Sequence, residues 1–203
     1  MANLMDLLQG QLSEGLIDQL SGQLGADRQQ TETAASTALS TIMSALAKNA
    51  STPDGASALS NALENDHDGS ILDNLGDILG GQAQPQNTRA INGAGILKHV
   101  LGGKQAGAID MISKLSGLQG QQAGSLLTTM APLVMGMLGR QKKQQNMSGD
   151  VLSDFLSKSV KSATNQRQEM GIVGKLLDQD GDGSIMDDIA GMGMGMLGKF
   201  LRK

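Results

Sequence analysis

The sequence predicts an all-α, multihelical protein of two related helical repeat units packed together, with an Asp-rich loop after each. Three observations carry that prediction. Apolar residues recur at i, i+3 and i+4, the spacing of one helical face, and no segment alternates apolar and polar residues long enough for a strand. A shift of 92 positions lays residues 3–49 on a second stretch without a gap: Gly10 meets Gly102, Gly15 meets Gly107, Ile17-Asp18 meets Ile109-Asp110, Ser21 meets Ser113, Gln29-Gln30 meets Gln121-Gln122 and Leu46 meets Leu138. A shift of 114 positions then pairs Leu63 to Asn74 with Leu177 to Asp188. The larger shift places an insertion near residues 157–176, and two matches in the same order point to duplication.

The elements follow in order. Leu4, Leu7, Leu8 and Leu12 share one helical face, as do Leu16, Ile17, Leu20 and Leu24. Asp27 is a cap for a longer helix, with Gln30 at the capping-box position, and Ala35, Leu39, Ile42, Met43 and Leu46 turn inward. Thr52-Pro53 starts a short helix through Leu59 and Leu63, because proline is tolerated at N1, where its missing N–H has no partner to lose. The second half predicts helices over about 93–102, 104–116, 119–139 and 148–168, then two short closing helices. Pro132 removes a backbone donor from the third of these, so a kink or break is expected there. The organisation is a first unit over 1–81, a polar linker over 82–92 and a second unit over 93–203.

Composition narrows the function classes. Glycine supplies 28 of 203 residues, about twice the usual share of ~7%, without a collagen period. Two phenylalanines are the sole aromatics, so the core must come from Leu, Ile, Met and Ala, and bases or sugars have little to stack on. The net charge of −4 argues against nucleic acid, which takes a basic face. The densest basic cluster, Arg140, Lys142 and Lys143, reads as a solvated turn between helices. No cysteine is present for a disulfide or a thiolate. The N-terminal stretch Met1 to Asp6 lacks the basic residues of a secretory signal, and the apolar run Met130 to Leu138 is half the ~20 residues a membrane span needs. A cytoplasmic protein without a transmembrane segment is expected.

The sharpest motif is Asp178-Gln179-Asp180-Gly181-Asp182-Gly183-Ser184-Ile185-Met186-Asp187-Asp188. It opens like an EF-hand loop, with acids at 1, 3 and 5 and glycine at 6. Ca²⁺ takes six to eight oxygens, which alternate side chains of a turning loop can supply. Asp178, Asp180 and Asp182 would be ligands, Ser184 would offer its carbonyl, and Asp187 or Asp188 would close the site in place of the glutamate expected at 12, where Ile189 stands. The competing reading is a turn and helix N-cap that holds no ion. The related run 64–74 keeps Glu64, Asp66, Asp68 and Asp73, but the longer glutamate at position 1 and His67 make it a weaker ion candidate, read more as a turn than as a second ion site. His67 is expected in solvent, and His99 lacks partners at a ligand-like spacing.

No phosphate loop or nucleophile elbow is present, so a non-enzymatic role is expected, with an enzyme of unknown reaction as the remotest alternative. At the C-terminus Ile189, Met192, Met196 and Phe200 share one helical face. Such a face either docks on the core or meets a protein partner or a membrane interface, since methionine adapts to varied surfaces. A duplicated helical chain that opens with Asn3-Leu4-Met5-Asp6-Leu7-Leu8 and ends in Leu176-Leu177 followed by the Asp-rich run resembles the bacterial YidB-like proteins, a family of unknown function. The resemblance implies an all-α, multihelical bacterial protein of two related units, and brings no activity with it. The expectation is a scaffold or protein-interaction protein with a calcium loop at 178–188. The alternative is a purely structural helical module whose Asp loops are turns.

Overall fold

The computed structural model describes residues 14–74 and 88–166, and all of its regular structure there is helical. Seven α-helices follow in order: α1 (Glu14–Leu24), α2 (Arg28–Asn49), α3 (Pro53–Asn65), α4 (Gly93–Val100), α5 (Gln105–Ser116), α6 (Gly120–Gln145) and α7 (Gly149–Gln166). Short 3₁₀ segments lie at Ser70–Asn74 and Gly102–Lys104. The chain divides into two units, residues 1–160 and 161–203, and of the second only the end of α7 is described.

Local chemistry starts these helices where the sequence places them. Asp27 Oδ1 accepts the backbone N–H groups of Gln29 (2.8 Å) and Gln30 (3.3 Å), which have no carbonyl partner in the first turn of α2. Thr52 Oγ1 accepts from Gly55 N at 3.2 Å, with Pro53 opening α3. Asn92 Oδ1 accepts from Gly95 N at 2.9 Å and caps α4. Replacing the first of these caps, Asp27→Ala, is expected to lower stability by about 1 kcal/mol, read as a shift of the urea midpoint at constant slope.

α6 is the axis of the described fold and packs against α1, α2, α3, α4, α5 and the 70–74 segment. Every residue from Met130 to Gly139 is buried. A helix apolar on all sides belongs in an interior, so the most apolar run of the sequence lies here. No helix among the described residues is long and apolar enough to cross a membrane. Around this axis α2 presents Ala34, Ala35 and Ala38 beside Leu39, Ile42, Met43 and Leu46, all at most 2% exposed. The alanines let helix axes approach closely, and Met43, Met130 and Met135 fill irregular space in a core with no buried phenylalanine among the described residues.

Two local expectations are corrected, and of the kink or break expected at Pro132 the break does not occur. Gln30 Nε2 does not turn back onto its own helix start but donates to Gly117 O, at 3.4 Å. The capping-box partner is found instead on α6, where Gln119 N donates to Gln122 Oε1 at 2.9 Å, while Gln122 Nε2 reaches Leu24 O at 3.0 Å. The turn after α1 is thus tied to α6, and the turn after α5 to α2. Pro132 does not break α6, which runs unbroken from Gly120 to Gln145. The proline ring is buried, and packing on every side outweighs the loss of one backbone bond. The helix also continues past residue 139, so Arg140, Lys142 and Lys143 stand on its last turns, not in a solvated connection. It ends at Asn146, whose φ of 48° is left-handed.

Candidate functional site

The ion-loop residues Asp178, Asp180, Asp182, Ser184, Asp187 and Asp188 lie outside the described residues, as do the Met-rich face at 189–200 and the N-terminal leucines. The related acidic run at 64–74 is described, and its geometry is a docked loop. α3 ends at Asn65, and Ala62 O accepts the N–H groups of both Asp66 (3.0 Å) and His67 (3.1 Å). Gly69 then bends the chain at φ 96°, a conformation that disfavours any side chain. Asp68 Oδ1 accepts from Ser70 N at 3.0 Å, and Leu72 N donates to Gly69 O at 3.1 Å, which starts the 3₁₀ turn.

The loop lies on α6 at two glycines one turn apart. A Cβ on Gly139 would stand 1.7 Å from the His67 carbonyl oxygen, and one on Gly136 would stand 2.4 Å from Ile71 Cγ2. Ile71 is 6% exposed. The cations that follow on α6 hold the rim. Arg140 Nη2 donates to Gly69 O at 2.9 Å and to Asp73 Oδ1, while the buried Lys142 donates to Glu64 Oε1. Arg89 pairs with Asp66 at 3.9 Å. A cleft of about 240 Å³ beside the loop is lined by Leu63, Glu64, Asp68, Gly139, Lys142 and Lys143.

These contacts set the protonation states. The hydrogen bond and then the charge of Lys142 hold Glu64 below the usual carboxylate range. The Ser70 N–H, followed by its hydroxyl, does the same for Asp68. His67 is displaced downwards, chiefly by burial, with the Asp66 carboxylate opposing. The expectation of a solvated His67 is therefore corrected: it is 6% exposed, because its backbone must reach Gly139 and the ring follows it inward. His99 stands on the exposed side of α4. Among the described residues no three His, Asp or Glu side chains converge as metal ligands. The chain's own Arg140 and Lys142 neutralise acids of this loop. Sequence reasoning missed that clamp, although two glycines three apart followed by closely spaced cations were its signal.

Fold and loop together define an all-α, multihelical protein organised on one buried helix, with an acidic loop locked to that helix by internal cations. The chain belongs to a bacterial protein family of unknown function, DUF937, whose model matches residues 6–141. That membership is consistent with the resemblance read from the sequence. The match spans the docked loop and most of α6, and stops before the Asp-rich run at 178–188. No curated protein and no solved structure matches the chain.

Proposed function

We propose that the protein is a non-enzymatic, cytoplasmic helical scaffold for a protein partner, and that its Asp178–Asp188 loop takes a calcium ion. The carrying observation is the spacing of acids, with Asp178, Asp180 and Asp182 ahead of Gly183 and two further acids at Asp187 and Asp188. The path of the matching run supports it. Gly69, which answers Gly183, makes the sharp bend such a loop requires, and Asp68, which answers Asp182, turns its carboxylate back onto the loop backbone. In this reading the ion clamps the loop and orients the Met-rich helix for its partner.

We also read the two halves as a duplication. α1 ends at Leu24 and α5 at Ser116, and α2 starts at Arg28 and α6 at Gly120, both pairs separated by the 92 residues of the sequence match. Gly25 and Gly117, at φ 59° and 78°, are left-handed at matching positions. The exchanged hydrogen bonds of Gln30 and Gln122 are further support, since each reaches the turn of the other half.

One observation favours the second reading, in which the Asp loops are turns without ions. At 64–74 the carboxylates of Glu64 and Asp73 are already taken by Lys142 and Arg140. Calorimetric titration and melting in calcium or EDTA separate the two readings. With calcium at about 100 times its Kd, the ion is expected to add about 2.7 kcal/mol, a rise of roughly 5–10 °C in Tm. Asp180→Asn and Asp182→Asn should abolish both the heat and the rise. No heat and unchanged melting in the parent protein would leave the structural module as the answer.

A further inference from the structure

We propose that residues 66–74 are an acid-released strap, which lifts off α6 when His67 takes a proton while the helical core stays folded. The imidazole is buried, and its Nδ1 has no hydrogen-bond partner. In the neutral ring that nitrogen can remain without a proton. In the charged ring both nitrogens carry one, and an N–H buried without an acceptor is strongly unfavourable.

The charged groups around the strap are largely paired among themselves. From α6 the strap meets Arg140 and the charge of Lys143, while Lys142 pairs with Glu64 just before it. Of the carboxylates, Glu64 is engaged by Lys142, Asp73 by Arg140, Asp68 by the Ser70 N–H and Asp66 by Arg89. The Asp66 carboxylate favours the charged ring, but it is shared with Arg89, and burial outweighs it. Release frees the ring to water and uncovers the Gly136 and Gly139 side of α6.

The sign follows from burial. A histidine held below its ordinary value is neutral in the docked state and binds its proton more readily once released. Docking is therefore fully favoured above about pH 6.5 and weakens as the pH falls below it. Glu64 and Asp68 are displaced downwards, so they stay ionised over that window and their contacts do not confuse the reading. His99 is exposed on α4.

Amide exchange on the whole chain, read by NMR at pH 7.5 and 5.0, tests this. Protection factors at His67, Ser70 and Leu72 should fall by about threefold or more on acidification, while those of the α2 interior hold. The His67 ring should titrate below the ordinary histidine value, and His67→Gln should leave strap protection independent of pH. If that variant does not fold, the parent protein's exchange and ring titration decide the matter. Loss of protection in α2 together with the strap, or an unchanged strap once His67 is protonated, would overturn the proposal.

Discussion

Gly139→Ala is expected to destabilise the protein by about 1–3 kcal/mol and to loosen the acidic loop. The added methyl would stand 1.7 Å from the His67 carbonyl, a backbone atom that cannot turn aside as a side chain can. Either α6 or the loop has to move. The loop is the weaker side, anchored by Ile71, by the Arg140 bonds and by the Glu64–Lys142 pair at its base. Ordinarily Gly→Ala inside a helix stabilises by up to ~1 kcal/mol. Gly22→Ala in α1, where nothing lies within 4 Å of the new methyl, is the control and should show that gain. Urea denaturation of both variants checks the opposite signs. If Gly139→Ala is as stable as the parent protein, close docking of the loop on α6 is wrong.

Gly93→Ala should cost a similar amount, on the order of 1–3 kcal/mol, for a different reason. Pro132 has no N–H to offer the Thr128 carbonyl one helical turn earlier. The backbone of Gly93, at the start of α4, lies against that carbonyl, and a Cβ would sit 1.9 Å from its oxygen. This close approach puts Cα–H groups where the amide donor is missing, a weak compensation that a side chain would expel. Denaturant unfolding together with far-UV circular dichroism distinguishes the outcomes. A loss of stability with helix content retained is expected. A neutral effect would mean that α4 does not rest on α6 at this point.

The two glycines of α6 refine the reading of composition. In the sequence match Gly136 and Gly139 answer Ser44 and Ala47 of α2, where Ser44 is exposed. Glycine excess therefore has two sources. Gly25 and Gly117 recur as helix-ending turns, while Gly136 and Gly139 are specific to one helix because a loop lies on it.

Much of the fold was legible in the chain. Helix faces such as Leu39, Ile42, Met43 and Leu46, the caps Asp27 and Thr52, and the turn at Gly69 all arise between residues a few positions apart, where periodicity and hydrogen-bonding chemistry act directly. Of the candidate sites, the acids and the bend of the 64–74 loop were legible, but not the fate of its carboxylates.

That fate was decided in three dimensions. Lys142 and Glu64 stand 78 residues apart, and Arg140 and Asp73 stand 67 apart. Nothing in the pattern selects these pairs among 16 basic and 20 acidic residues. The burial of His67 and the continuity of α6 through Pro132 have the same origin. Both go against local preference, solvent for a loop histidine and a break for proline; the first is imposed by packing of the loop on α6, the second by the elements packed around α6. Among the described residues the sequence by itself determined which segments are helices and where they begin, because those choices rest on neighbours along the chain. The tertiary structure alone decided which charges are neutralised and which side chains leave water, because those choices rest on neighbours in space.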